Sequence, residues 1–153
     1  MKTKLDEYVG YNIFVVASLL KRQIFRILSK QNINITPDQW IVLSYIWEND
    51  GQTISELVKN SNKDFANVTR IINKLVKLGY VIKEHSKEDG RSVIVYATKE
   101  ARILEERLND CWMKSVNISM KGLSKEEQDY LLLLLDRIKV NSLEFLEKDE
   151  INE

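Results

Sequence analysis

The sequence predicts a mainly α-helical fold with one small β-hairpin, and three features of residues 64–98 predict it. A helix with one buried face is indicated between Asp64 and Leu78 by apolar residues at three- and four-residue steps: Phe65, Val68, Ile71, Ile72, Leu75 and Leu78. Gly79 stands where a left-handed residue ends a helix. The apolar period then changes to two across residues 80–85 and 93–96, on either side of a polar turn. A helix followed by a hairpin with a charged tip is the layout of a winged helix-turn-helix.

Two further helices precede this segment. The four residues 36–39 combine a Thr N-cap, Pro at the first helical position and Gln for a capping box, so a helix begins at Pro37 and ends near Asn49. A short helix begins at Thr53 and ends near Asn62. This short helix and the helix after Asp64 form the helix-turn-helix pair.

The two ends of the chain predict a helical dimerisation layer. Residues 5–30 form one long amphipathic helix, interrupted only mildly by Gly10, which packs either in the core or against a partner subunit. Thr98 caps another helix, with an inner stripe of Ala101, Leu104, Leu108, Cys111, Ser115 and Ile118. Ser124 begins a last helix, in which residues 131–135 are apolar all round and therefore need a second subunit or a thick helical bundle.

These elements divide the chain into four parts. Residues 36–97 form the winged helix-turn-helix lobe, residues 5–30 and 98–147 the dimerisation helices, and residues 148–153 an acidic tail. The whole chain has 23 basic and 23 acidic side chains, so any affinity for nucleic acid must come from local charge separation. Between Lys63 and Arg91 there are seven cations against four anions, which provides such a region.

Composition also bears on the compartment and on the class of protein. One cysteine excludes an internal disulfide and favours a reducing, cytoplasmic compartment. The longest uncharged run, residues 8–20, is shorter than the roughly 20 residues that span a bilayer. With one His and one Cys, the sequence predicts no metal site, no cofactor and no catalytic constellation, so we expect a protein that is not an enzyme.

The polar face of the helix after Asp64 supplies candidate DNA contacts. Side chains near the start of such a helix face base edges, and these are Ala66, Asn67, Thr69 and Arg70. Arg70 can pair with guanine and Asn67 with adenine. Lys63, Asn73 and Lys74 are better placed for phosphates. The alternative for each residue is an ordinary solvated surface position.

The hairpin tip adds three candidates, Lys87, Asp89 and Arg91. A cation at position 91 can enter a narrow minor groove, where the negative potential is enhanced. Asp89 can hold its guanidinium by a charge-assisted hydrogen bond. The alternative is a hairpin-tip salt bridge without a DNA role.

These motifs resemble the MarR family of bacterial transcriptional regulators over essentially the whole chain. The matching residues are Val68-Thr69-Arg70, the run from Leu75 to Val81, Asp89-Gly90-Arg91-Ser92, and the stretch Thr98-Lys99-Glu100-Ala101. Ala97 and Ala101 depart from the family, where Leu and Gly are common at the corresponding junction.

The resemblance implies a homodimeric repressor whose two recognition helices enter successive major grooves of a near-palindromic operator. It also implies release by a small aromatic or anionic effector bound between the dimer layer and the DNA lobe. Aromatic residues on the bordering helices are the candidate lining, although core packing is the alternative for each: Tyr11, Phe14, Trp40, Tyr45 and Trp47. Cys111 lies on an inner helical stripe, so a redox-sensing role is not expected.

A rival hypothesis is a winged helix that serves as a protein-interaction or architectural module. Zero net charge and the acidic tail favour this rival, whereas the tip sequence Asp89-Gly90-Arg91-Ser92 favours the regulator. In the rival, Arg70 and Arg91 are plain surface charges.

Overall fold

The computed structural model of the chain describes residues 4–61, 63–86 and 90–150. A 3-10 turn at Lys4–Glu7 is followed by the elements α1 Val9–Lys30, α2 Pro37–Glu48, β1 Gln52–Thr53, α3 Ile54–Ser61, α4 Phe65–Lys77, β2 Val81–His85, β3 Val93–Ala97, α5 Lys99–Ser119 and α6 Lys125–Glu150. Backbone contacts divide the chain into two compact units, Met1–Ser115 and Val116–Glu153.

The first unit contains the winged helix-turn-helix that the sequence predicts. Its core is built from the C-terminal part of α1, the inner faces of α2, α3 and α4, the strands β2 and β3, and the first part of α5. Val42, Leu43 and Ile46 of α2 and Leu57 of α3 are completely buried. Burial of each such side chain contributes about 1.5–3 kcal/mol of transfer free energy, and this contribution holds the three helices together.

Helix α1 differs from the predicted single helix in two ways. The break lies at Tyr8, which has an extended backbone, and not at Gly10, which lies inside α1. Only Ile24, Ile27 and Leu28 of α1 are buried. The predicted apolar stripe is therefore covered at one end only within this chain, and residues such as Val9 and Val16 are exposed.

Helix α2 begins and ends as the sequence predicts. The Thr36 hydroxyl accepts from the backbone N–H of Gln39, and the Gln39 side chain accepts from the backbone N–H of Thr36. At the other end, the buried Gln52 amide donates to the carbonyls of Tyr45 and Asn49, at 2.7 and 2.6 Å. The Gln52 amide thus gives the C-cap carbonyl of Asn49 a donor and adds a second hydrogen bond to the Tyr45 carbonyl, which also accepts from the backbone N–H of Asn49.

The sheet has three antiparallel strands in the order β1-β3-β2, one more than the predicted hairpin. Strands β2 and β3 pair from Val81 opposite Ala97 to His85 opposite Val93. The additional strand β1 places Gln52 opposite Val95 and Thr53 opposite Ile94. It joins the base of the wing to the start of α3.

The second unit consists of the end of α5 and helix α6. Ser124 and Glu127 form the predicted capping box, and α6 continues to Glu150, so the first three residues of the predicted tail are helical. No residue from 125 to 146 is buried within the chain, although Leu131 to Leu135 are all apolar. Ile118, predicted on the inner stripe of α5, is 52% exposed.

Candidate nucleic-acid interface

Helix α4 is fixed at both ends and along one face. The Asp64 carboxylate accepts from the backbone N–H of Asn67 at 2.7 Å, as the predicted N-cap. At the other end Gly79 has φ of 77°, and the N–H groups of Gly79 and Tyr80 donate to Val76 and Leu75. This is a Schellman motif, in which glycine adopts the left-handed conformation without the steric cost of a Cβ.

The inner face of α4 is buried and its outer face is open. Val68, Ile72 and Leu75 have no exposed surface, which fixes the rotation of the helix about its axis. On the opposite side lies a shallow groove of about 520 Å³, lined by Phe65, Ala66, Thr69, Arg70, Asn73, Lys74 and Lys77. Five of the predicted DNA contacts therefore line one surface, which we call the α4 groove.

Arg70 is exposed and is oriented by its own helix. Its guanidinium donates to the side-chain oxygen of Asn67, one turn earlier, at 3.0 Å. Because a guanidinium has five N–H donors, several remain for other acceptors. The Asn67 oxygen is occupied by this bond, so in this conformation Asn67 positions Arg70.

Two other predicted contacts, Asn73 and Thr69, differ in their surroundings within the lobe. Lys83 of β2 donates to the Asn73 side chain at 2.9 Å, which connects the wing to α4. The Thr69 hydroxyl oxygen is buried and has no hydrogen-bond partner among the residues that the structure describes. Thr69 therefore offers carbon atoms, and not its hydroxyl oxygen, to the α4 groove.

Lys63 faces Asp38 and lies apart from the α4 groove. Its ammonium group is 2.9 Å from one Asp38 oxygen, and Lys21 of α1 is 2.6 Å from the other. Partial burial alone would raise the pKa of Asp38, but the hydrogen bonds from Lys21 and Lys63 outweigh it and hold this pKa below its usual value of 3.8. Asp38 thus connects α1, the start of α2 and the turn before α4.

The wing tip is described in part. Arg91 is exposed in the turn before β3, and Gly90 beside it is also exposed. Lys87 and Asp89 lie outside the described residues, so the predicted bond from Asp89 to Arg91 stays a prediction. His85, at the end of β2, is exposed.

The five aromatic residues predicted for an effector site are spread over different surroundings. Phe14 is 78% exposed on α1, while Trp40, Tyr45 and Trp47 pack against the core. Trp40 stacks on Trp112 of α5, with ring centroids 4.4 Å apart. None of the five predicted residues, Tyr11 included, lines the α4 groove or the second cleft described next.

The second cleft lies between α1, α2 and α4 and has a volume of about 510 Å³. Its cationic side chains are Lys21, Arg22, Arg70 and Lys74, and Phe25 is its aromatic residue. We call it the α1–α4 cleft. Spacing along the sequence could not reveal it, because its lining comes from three helices that are separated in the chain.

The described residues give no support to a reactive cysteine, a metal site or a membrane-spanning helix. Burial raises the pKa of the Cys111 thiol, which disfavours the reactive thiolate. No group of three His, Cys, Asp or Glu residues capable of holding a metal occurs in the described part of the chain. Within that part, no helix is long and apolar enough to cross a membrane.

The three-helix lobe, the exposed α4 and the wing define a winged helix-turn-helix protein. The family model for the transcriptional regulator SarA/Rot matches residues 23–108, which is more than half of the 153 residues. The chain therefore belongs to the SarA/Rot family of transcriptional regulators, and its resemblance to MarR-family regulators is confirmed by their structures.

Individual relatives agree with this assignment. The organic hydroperoxide resistance transcriptional regulator of Bacillus subtilis is 24% identical over 128 residues, covering 84% of this chain and 82% of that protein. MgrA of Staphylococcus aureus is 23% identical over 121 residues, covering 77% and 81%. A mutant MarR of E. coli complexed with operator DNA superimposes with a TM-score of 0.81 at 26% identity, covering 90% of this chain and 99% of that chain.

We expect Asp38→Asn to lower the free energy of unfolding by about 1 kcal/mol at neutral pH, because it removes two ion pairs that share one carboxylate. A folded-state pKa below the ordinary value adds stability above pH 3.8 that is lost as the pH falls toward the lower folded value. Urea unfolding of both proteins at a series of pH values measures this. If the difference in unfolding free energy between the wild type and Asp38→Asn grew as the pH fell, the lowered pKa of Asp38 would be contradicted.

Proposed function

We propose that the chain is a sequence-specific, double-stranded-DNA-binding repressor that acts as a homodimer on a near-palindromic operator and is released by a small anionic ligand. The observation that carries the proposal is the α4 groove. It places Arg70, Lys74 and Lys77 on the exposed side of a helix whose other side is completely buried. A rigid helix with cations around its exposed face suits a major groove lined by phosphates.

Each side chain has a distinct role in this proposal. Arg70, held by Asn67, presents its remaining donors to the acceptors of a guanine edge. Lys74 and Lys77 contact phosphates, which supply affinity without sequence information. Arg91 at the wing tip enters the adjacent minor groove. Lys63, paired with Asp38, supports the turn before α4.

Relatives with DNA in their structures support the proposal. MarR of E. coli is complexed with operator DNA, and the transcriptional repressor CouR is bound to a 23-mer duplex, with a TM-score of 0.82 at 21% identity. For this chain, the operator, the repressing effect and the homodimer are proposals.

Arg91→Ala and Arg70→Ala should each weaken binding to the operator by about 1–3 kcal/mol. Arg70→Ala should also relax specificity at one base pair, because Arg70 contacts a base edge. Fluorescence anisotropy at fixed salt measures both dissociation constants. Lys114→Ala, which removes a cation from α5 outside the α4 groove, is the control. An Arg91→Ala dissociation constant equal to that of the wild type would refute the role of the wing.

Helix α6 is the main argument for a homodimer. Its apolar side chains form a surface that no other part of the described chain buries, including Leu131, Leu132, Leu135 and Ile138, which are 39–62% exposed. Contiguous apolar surface of this kind marks an interface. A second copy of the chain would cover it, and the exposed residues of α1 supply further apolar surface.

The double variant Leu131→Glu/Leu135→Glu should convert the dimer into monomers. The two residues lie four apart on one face of α6, so two charges would be buried in the interface. Val140→Glu, an exposed position on the opposite side of the helix, is the matched control. Sedimentation velocity measures the mass. A double variant with dimeric mass would show that the interface lies elsewhere.

The α1–α4 cleft replaces the predicted aromatic crevice as the proposed effector site. Arg22, Arg70, Lys74 and Phe25 suit an aromatic carboxylate, while Lys21 in the same cleft is paired with Asp38. One relative supports this chemistry, since DNA binding by BpsR of Bordetella bronchiseptica is regulated by 6-hydroxynicotinic acid. Arg70 and Lys74 line both the cleft and the α4 groove, so a ligand here would compete with DNA for the same side chains.

Benzoate or 6-hydroxynicotinate at millimolar concentration should raise the unfolding temperature and weaken operator binding. Arg22→Ala should abolish both responses while keeping the dissociation constant for DNA, because Arg22 lines only the α1–α4 cleft of the two surfaces. Differential scanning fluorimetry and anisotropy measure the two effects. A full ligand response in Arg22→Ala would place the effector elsewhere.

A further inference from the structure

Phe65 lines the α4 groove, although the apolar periodicity of this helix predicted it on the buried face. It is the first residue of α4 and is 56% exposed, whereas the apolar stripe predicted it in the core. The buried face begins one turn later, at Val68. A large aromatic side chain is therefore held at the end of the helix that approaches base edges first.

The α4 groove that Phe65 lines combines apolar and cationic side chains. Ala66 is exposed beside it, and Thr69 turns its hydroxyl oxygen inward. Arg70, Lys74 and Lys77 line the same groove. The cations suit a polyanionic occupant, and the apolar side chains suit a methyl group or another carbon surface on that occupant.

We propose that Phe65, with Ala66, recognises the 5-methyl group of thymine in the major groove of the operator. The inference rests on the proposed function and names a specificity determinant within it. Thymine is the one base that presents a methyl group in the major groove, and Phe, Ala and the Thr methyl are side chains that contact it. DNA offers a partner for both kinds of side chain in the α4 groove. Its phosphates can pair with the cations, and the thymine methyl can contact the apolar side chains.

The effect of one such contact can be estimated. Burying one methyl group between Phe65 and the base changes the dissociation constant by about fourfold. Two half-sites of a dimer give about fifteenfold. These factors are smaller than those expected for Arg70, so Phe65 adjusts the preferred sequence and does not supply most of the affinity.

The experiment compares thymine with deoxyuridine, which lacks only the 5-methyl group. A high-affinity duplex is selected from a random library with the wild-type protein, and each thymine is then replaced by deoxyuridine in both half-sites. Wild-type protein should lose about fifteenfold in affinity at one symmetric pair of positions. Phe65→Ala should lose most of the preference for thymine and keep only the part that Ala66 contributes, and Phe65→Leu should retain more of it.

Two controls keep the result specific. The unfolding temperature of Phe65→Ala should equal that of the wild type, because the side chain is largely exposed. Ile103→Ala removes an apolar side chain that is 66% exposed on α5, outside the α4 groove, and should keep the full thymine preference.

Either of two results would overturn the inference: no thymine position at which deoxyuridine weakens wild-type binding, or a preference that persists unchanged in Phe65→Ala. The second result would assign Phe65 to a backbone or protein contact. Failure of the proposed function is distinguishable, because wild-type protein would then enrich no sequence from the library.

Discussion

The burial of one face of α4 is the constraint on which the rest of this structure depends. Val68, Ile72 and Leu75 are completely enclosed by neighbouring elements, and truncation of such a residue costs about 2–5 kcal/mol. The helix can therefore neither rotate nor slide without losing a large part of a typical domain's stability. This fixed rotation is why the outward residues form one continuous groove, and why the cap at Asp64 and the turn at Gly79 set where that groove begins and ends.

Short-range signals predicted most of the fold. The capping boxes at Thr36 and Ser124, the cap at Asp64 and the left-handed Gly79 are local chemistry, so the sequence contains what is needed to place them. The strand β1 escaped prediction, because two residues carry no periodicity and their pairing with β3 spans more than forty positions. The break at Tyr8 escaped for a related reason, since the apolar spacing continues through it.

The site was predictable in composition but less so in arrangement. Helical phase alone placed Arg70, Asn73 and Lys74 on the outer side of α4. The same phase placed Phe65 inside, whereas the buried face of α4 begins only at Val68 and Phe65 is 56% exposed. The partners of Lys63 and Asn73 lie 25 and 10 residues away along the chain. The predicted aromatic crevice stays a prediction, and three of its members, Trp40, Tyr45 and Trp47, pack against the core.

The central claim is that a fixed α4 presents a sequence-selective surface to DNA. The most direct test is competition binding of the purified protein to DNA from upstream of its own gene, against unrelated duplex of equal length at about 0.15 M salt. A sequence-selective α4 should give a preference for the upstream DNA of about a thousandfold or more. Equal, weak and steeply salt-dependent binding to both duplexes would contradict it and would favour the protein-interaction module.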